Sequence, residues 1–228
     1  MSLPQGRTSR HQLADSPLWV ETLELLGGPL CLDFVNTFED RLGEYPQDFF
    51  TGYPDLVHWS YAVELFTEHE ATQRLAASAR WSTEATRIFE QALALRETIY
   101  RVFSAIARTT LPAGADLDAL KEIYTQTMVH ASLTPTDEGF VWNWIEQERE
   151  EALDFPLWSV ICSAVDLLTS SEVKRVKQCP GVDCGWLFLD SSKNGSRVWC
   201  SMEGCGSRAK MRRQRARKRS TRVQKTAD

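Results

Sequence analysis

Apolar residues recur at helical spacing through most of the first two thirds of the chain. The longest periodic stretch runs over 83–109, where Ile88, Ala92, Leu95, Ile99, Val102, Phe103 and Ile106 form one stripe that stops at Leu111-Pro112-Ala113-Gly114. Shorter patterns predict helices over 55–68 (Leu56, Trp59, Ala62, Val63 and Phe66, with Asp55 as N-cap), 70–80, 116–130 and 155–170. The run Gly28–Arg41, apolar except at Asp33 and Asn36, reads as a buried helix, with a strand just before it in WVETLELLG. At 131–144 side chains alternate on either side of a Pro/Asp/Gly cluster, the pattern of a β-hairpin. The expected fold is mainly α (α+β).

The last quarter departs from this pattern. Cys179-x4-Cys184 and Cys200-x4-Cys205 are two matched pairs about fifteen residues apart. Four thiolates complete the tetrahedral shell of Zn²⁺ and leave no open position, so the spacing predicts one structural zinc. Between the pairs, Trp186–Leu189 alternates as a strand, 190–195 is rich in turn formers, and 196–199 is expected to return as the second strand of a zinc ribbon. A module this small folds on its metal, which supplies on the order of 10 kcal/mol. Cys31 and Cys162 stand alone in apolar stretches and read as buried hydrophobes, a distribution that fits a reducing compartment.

Charge divides the chain at the same place. Of 26 Lys/Arg and 31 Asp/Glu, residues 172–228 hold 15 and 5, a formal +10, which leaves 11 and 26, a formal −15, for residues 1–171. Nothing from 207 to 222 breaks a helix, and at 100° per residue Arg208, Arg212, Arg215, Arg219 and Arg222 share an arc of about 80°. Lys210, Arg213 and Arg217 fall near the opposite side. Basic flanks on both sides suit a helix lying between phosphate walls. The expected nucleic-acid contacts are Lys193, Arg197, Arg208, Lys210, Arg212, Arg213, Arg215 and Arg219. Double-stranded DNA is the first reading and RNA the alternative.

The finger residues also carry a resemblance. Cys179–Arg219, with FLDSS at 188–192 and RVWCSMEGCGSRAK at 197–210, resembles the CGNR zinc finger of bacterial regulators. The match runs through Arg197, Trp199, Cys200, Ser201, Met202, Cys205, Gly206, Arg208 and Lys210, and departs at Ser207, where the family has asparagine. GGPLCLDFVNTF at 27–38 and LRETIYRVF at 95–103 are similar to the ABATE-type domain that is usually fused to this finger. The resemblance implies a stress-related transcription regulator of the bacterial cytoplasm, nucleoid-associated when bound.

The expected organisation is a flexible leader (1–18), a helical ABATE-like domain for sensing or dimerisation (19–171) and the finger with its basic helix (172–228). A candidate ligand pocket for a small-molecule effector would gather Asp33, Asn36 and Arg96, with Asp33 as the carboxylate for a buried Arg96. The competing reading of these residues is a structural ion pair with helix capping. No nucleophile–base pair, phosphate loop or paired-carboxylate motif is present, so no enzyme activity is expected. Membrane contact is not expected either, for want of a long apolar run. A homodimer is the default for a DNA binder.

Overall fold

The computed structural model describes residue 13 and residues 15–225, without the side chains of Glu151 and of 219–225. Most of the expected leader and the side chain of Arg219 therefore lie outside the described residues. In chain order the elements are α1 (Leu18–Glu21), α2 (Leu30–Val35), β1 (Phe38–Glu39), β2 (Gln47–Asp48), α3 (Tyr53–Ala62), α4 (Glu68–Arg80), α5 (Ser82–Ala107), α6 (Gly114–Met128), β3 (Ala131–Thr136), β4 (Gly139–Trp144), α7 (Glu146–Glu151), α8 (Phe155–Thr169), β5 (Val176–Gln178), β6 (Leu187–Leu189) and α9 (Ser207–Lys225). Helices dominate, and the strands form three separate two-stranded antiparallel pairs.

The long apolar stripe folds as expected. α5 buries Ile88, Ala92, Leu95, Ile99, Val102 and Phe103, and α2, α3, α6 and α8 pack around it. α4 begins two residues earlier than the periodicity suggests, because Thr67 and Glu70 close a capping box: the Glu70 carboxylate accepts from the Thr67 N–H at 2.7 Å. α3 also starts early. Pro54 fits its first turn, where a missing N–H costs nothing. Asp55 thus sits inside the helix rather than at its cap, and its carboxylate turns back to accept from Thr51 N and Oγ1, each at 2.7 Å. The strand expected within 19–27 is replaced by the single turn of α1 and an irregular approach to Gly27.

The hairpin at 131–144 forms with the register Ala131↔Trp144, Leu133↔Trp142 and Pro135↔Phe140. Trp144 closes the core at its base against Trp158, with centroids 5.5 Å apart, and edge-on against Phe155.

The cysteine-bearing segment is built into this helical body. Val176, Leu187 and Leu189 belong to the same hydrophobic cluster as α2, α5 and α8. Asn36, at the end of α2, offers a two-way clamp to β6: its Nδ2 donates to Leu187 O at 2.9 Å and its Oδ1 accepts from Leu187 N at 3.0 Å. The Leu189 N–H donates to Gly27 O at 2.9 Å, and Trp186 Nε1 donates to Phe38 O at 3.2 Å. At Gly27 a β-carbon would lie 2.7 Å from Asp33 N, so only glycine lets the chain pass this close to α2 on its way to Leu189.

Removing the Asn36 clamp leaves a buried N–H and C=O without partners, at about 1–3 kcal/mol each. Asn36→Ala is therefore expected to lower unfolding free energy by about 3 kcal/mol, read from a denaturant titration. A loss within the scatter of surface mutants would show that β6 does not depend on α2.

Candidate metal centre and basic helix

The Cys179–Cys184 loop connects β5 to β6, so the first cysteine pair sits at the turn of a short hairpin. This corrects the strand partner expected from the sequence. β6 pairs with β5, upstream of Cys179, and 196–199 is irregular. The reason lies in Asp190. Its fully buried carboxylate accepts from Ser192 N and Oγ, Arg197 N and Lys177 Nζ, which folds 190–197 into a closed loop instead of a returning strand. Burial alone would raise the Asp190 pKa, but the Lys177 ammonium and the Ser192 donors outweigh it and hold the carboxyl well below its ordinary value.

The second pair lies in a turn closed by Ser201, whose Oγ accepts from Gly204 N at 3.1 Å, and a π turn over Met202–Gly206 leads into α9. The four sulfurs lie within 4.8 Å of one another and all four cysteines are buried. Cys184 to Cys200 and Cys200 to Cys205 are 3.6 Å apart. These separations are far beyond a disulfide bond of about 2.05 Å. They are close to the edge of about 3.8 Å of a tetrahedron with Zn–S bonds of about 2.3 Å. Gly181 makes room: a β-carbon there would stand 3.0 Å from the Cys205 sulfur. The donor set fits zinc in number, softness and spacing. Within the sulfur cluster, S–H donation from Cys184 and Cys200 pulls the Cys179 thiol down, while the same crowding pushes Cys184 and Cys200 up. Four like charges in this volume need a cation to neutralise them.

Arg208 donates to the Cys205 sulfur at 3.1 Å, and that bond raises the guanidinium pKa. A thiolate ligand held by an outer N–H has its orientation fixed. Arg197 is turned inward. Its guanidinium donates to the carbonyls of Leu26 at 2.9 Å, Cys200 at 2.6 Å and Trp199 at 3.1 Å, and lies over the Phe188 ring at 4.3 Å. The sequence alone places Arg197 among the nucleic-acid contacts. The structure uses it as the strut joining the second cysteine turn to the body, so its donors are spent.

Beyond the π turn, α9 makes no substantial contact with any other described element. Lys210, Arg212, Arg213 and Arg215 are exposed on it, and Lys193 is exposed on the loop below. Ser207, in place of the family asparagine, opens the helix, and its Oγ donates to Met202 O at 3.1 Å.

The three residues of the candidate pocket are each engaged by the protein itself, with different partners. Asp33 accepts from Gly27 N at 2.7 Å, Asn36 clamps Leu187, and Arg96 pairs with Asp48 at 2.5 Å and Thr37 Oγ1 at 3.1 Å. The partner of Arg96 is Asp48 on β2, not Asp33, because the β1–β2 turn folds over α5. An open groove of about 630 Å³ elsewhere on the body, between the start of α3 and the faces of α4 and α5, includes none of the three.

Burial raises the Asp33 carboxyl to about 7, against the lowering effect of the Gly27 and Gly28 N–H groups. The native state thus holds a proton that the unfolded chain, with an ordinary carboxyl of about 3.9, releases above that pH. Stability from this group falls as pH rises from about 4 through 7. Asp33→Asn should therefore gain in melting temperature relative to wild type across that window and hold the gain above it. A difference independent of pH would refute this.

Among the described residues, no helix is long and apolar enough to cross a membrane. Residues 28–171 match the ABATE family model, described as "Putative stress-induced transcription regulator", and residues 175–218 match that of the CGNR zinc finger. No curated protein matches the chain. Asn36 in the first matched region clamps Leu187 in the second, and Leu26 and Gly27, just before the first, bond Arg197 and Leu189 of the second.

Proposed function

The chain belongs to the ABATE family and ends in a CGNR zinc finger, and from that premise we propose that it is a transcription regulator that binds double-stranded DNA through α9. One zinc ion held by Cys179, Cys184, Cys200 and Cys205 has a structural role: it fixes the π turn from which α9 starts. The helical body anchors the finger through α2. The observation that carries this reading is the geometry of α9: a basic helix of 19 residues leaves the turn that bears the second cysteine pair, and beyond that turn it makes no substantial contact with any other described element. Such a helix repels itself when free and is firmed by a polyanion. At a rise of 1.5 Å per residue it spans about 28 Å, enough to follow a major groove for most of a helical turn.

Lys210, Arg212, Arg213 and Arg215 supply the phosphate contacts, Arg208 and Lys193 flank them, and Arg219 extends the same face by its position in the helix. With Asp33, Asn36 and Arg96 spent on internal bonds, the body acts as a mount for the finger rather than as a catalyst.

The test is recovery of nucleic acid bound to the chain in cells, sequenced genome-wide and repeated with Cys200→Ser. Discrete DNA sites that disappear in the variant support the proposal. Equal background in both refutes it, and recovery of RNA alone transfers the reading to RNA.

A further inference from the structure

The β3–β4 hairpin has one apolar face and one mainly polar face. The register puts Ala131, Leu133 and Pro135 beside Trp144, Trp142 and Phe140 on one side, and Ser132, Thr134 and Thr136 beside Asn143, Val141 and Gly139 on the other, where Val141 is the one large apolar side chain. The apolar side faces the core at the base of the hairpin, where Trp144 packs on Trp158 and Phe155. It then overhangs the body. Leu133 is 54% exposed, Trp142 63% and Phe140 70%, although all three lie on the face that is half-buried at its base pair Ala131 and Trp144. Apart from Trp144 at the base, the two strands make no substantial contact with any other described element. A two-stranded hairpin is marginal in water, and an amphipathic one gains stability when its apolar face is covered.

We propose that this overhanging face is a two-fold dimer interface, packing against the same face of a second copy of the chain. Its size fits that role. An aromatic side chain carries about 150–250 Å², so at their exposures Phe140 and Trp142 leave about 250 Å² in water, and Leu133 and Pro135 bring the patch to roughly 400 Å². Two such faces remove about 800 Å² of side-chain surface, and strand backbone and rim would have to supply the rest of the ~1,200 Å² at which specific interfaces begin. An isologous contact asks only that the face complement itself, and Leu133, Phe140 and Trp142 meeting their own copies do so. Charge points to the same place. Residues 1–171 carry a formal −15, so two bodies repel, and the strands 131–136 and 139–144 contain no Asp, Glu, Lys or Arg. They offer an uncharged strand surface on which two acidic bodies can meet, with Asp137 and Glu138 confined to the turn at the hairpin tip. The dimer would present two α9 helices, but the proposal stands apart from what α9 binds.

The test is sedimentation equilibrium of the zinc-loaded full chain at micromolar concentration, at low and high salt. Wild type should have twice the 25.9 kDa chain mass, and its dimer should tighten with salt as the acidic bodies are screened. The double variant F140S/W142T, and separately Leu133→Lys, should weaken dimerisation at least tenfold. Both should leave zinc content and the far-UV circular dichroism spectrum unchanged, since all three side chains are exposed in the single chain. A wild type that stays at chain mass would overturn the proposal, whatever else covers the face. So would variants that remain dimeric, or a dimer that salt dissolves, which would place α9 of one copy on the acidic body of the other. A monomer that still binds duplex DNA would leave the reading of α9 intact.

Discussion

Removing zinc, by chelation or by Cys200→Ser, is expected to loosen the helical body as well as the finger. Structural zinc in modules of this size contributes on the order of 10 kcal/mol to folding. Outside Val176, Leu187 and Leu189, which join the core of the body, the finger's own apolar cluster is Trp186 and Phe188 around the four cysteines, with Leu26 and Trp199 packed against it. Without the ion, β6 loses the order that presents Leu187 to Asn36 and Leu189 to Gly27. Arg197 loses the Cys200 carbonyl and with it the span from the second cysteine turn to Leu26. Hydrogen exchange should therefore accelerate over 176–206 and also over 26–42, while α5 and α6, anchored through Leu95, Ile99, Phe103 and Leu120, keep most of their protection. A rise confined to 176–206 would show that the finger is merely tethered. Because the ligands are thiolates, acid should produce the same pattern as they protonate and release the metal.

The second large effect concerns α9. Replacing Arg212, Arg213 and Arg215 by glutamine removes three exposed charges from a helix with no substantial contact to the body, so fold and zinc content should stay as in wild type. Each arginine–phosphate pairing removed should reduce the salt slope of DNA binding by about one, and three together should weaken binding about a hundredfold at moderate salt. Arg197→Gln should behave in the opposite way. Its half-buried guanidinium is engaged by the carbonyls of Leu26, Trp199 and Cys200, so the change should lower stability and leave the salt slope of the folded fraction unchanged. If Arg197→Gln and the triple variant fail alike, the division between strut and phosphate-binding arginines is wrong.

These expectations show where the sequence carried the structure and where it did not. The α5 stripe, the hairpin at 131–144 and the cysteine spacing are local signals, and each formed as its period implied. The capping of α4 was equally local, with Thr67 and Glu70 three residues apart, yet the apolar pattern began later and set the boundary too late. The strand partner of β6 was hidden because Val176–Gln178 is three residues long and reads as linker, whereas 190–199 carries the turn formers of a hairpin and spends them on Asp190 instead. Asn36 and Leu187 are 151 residues apart, and no periodicity links them. Arg197 shows the same limit. Its neighbours in the chain are those of an exposed basic loop, and only the carbonyls of Leu26, Trp199 and Cys200, brought together by folding, explain why it turns inward. Asp33, Asn36 and Arg96 stood out as polar breaks in apolar runs. That signal marks buried hydrogen bonding, and it does not distinguish a ligand pocket from an internal clamp.

The central claim is that a zinc-held turn aims a basic helix at duplex DNA. It is tested most directly by the salt dependence of binding to a DNA duplex, measured with the zinc-loaded chain and again after chelation. With about six phosphates neutralised, the zinc-loaded chain should give a slope of log K against log salt near −5. Chelation should weaken binding and flatten that slope, because α9 then lacks a fixed origin. A slope near zero for the zinc-loaded chain, or one unchanged by chelation, would contradict the account.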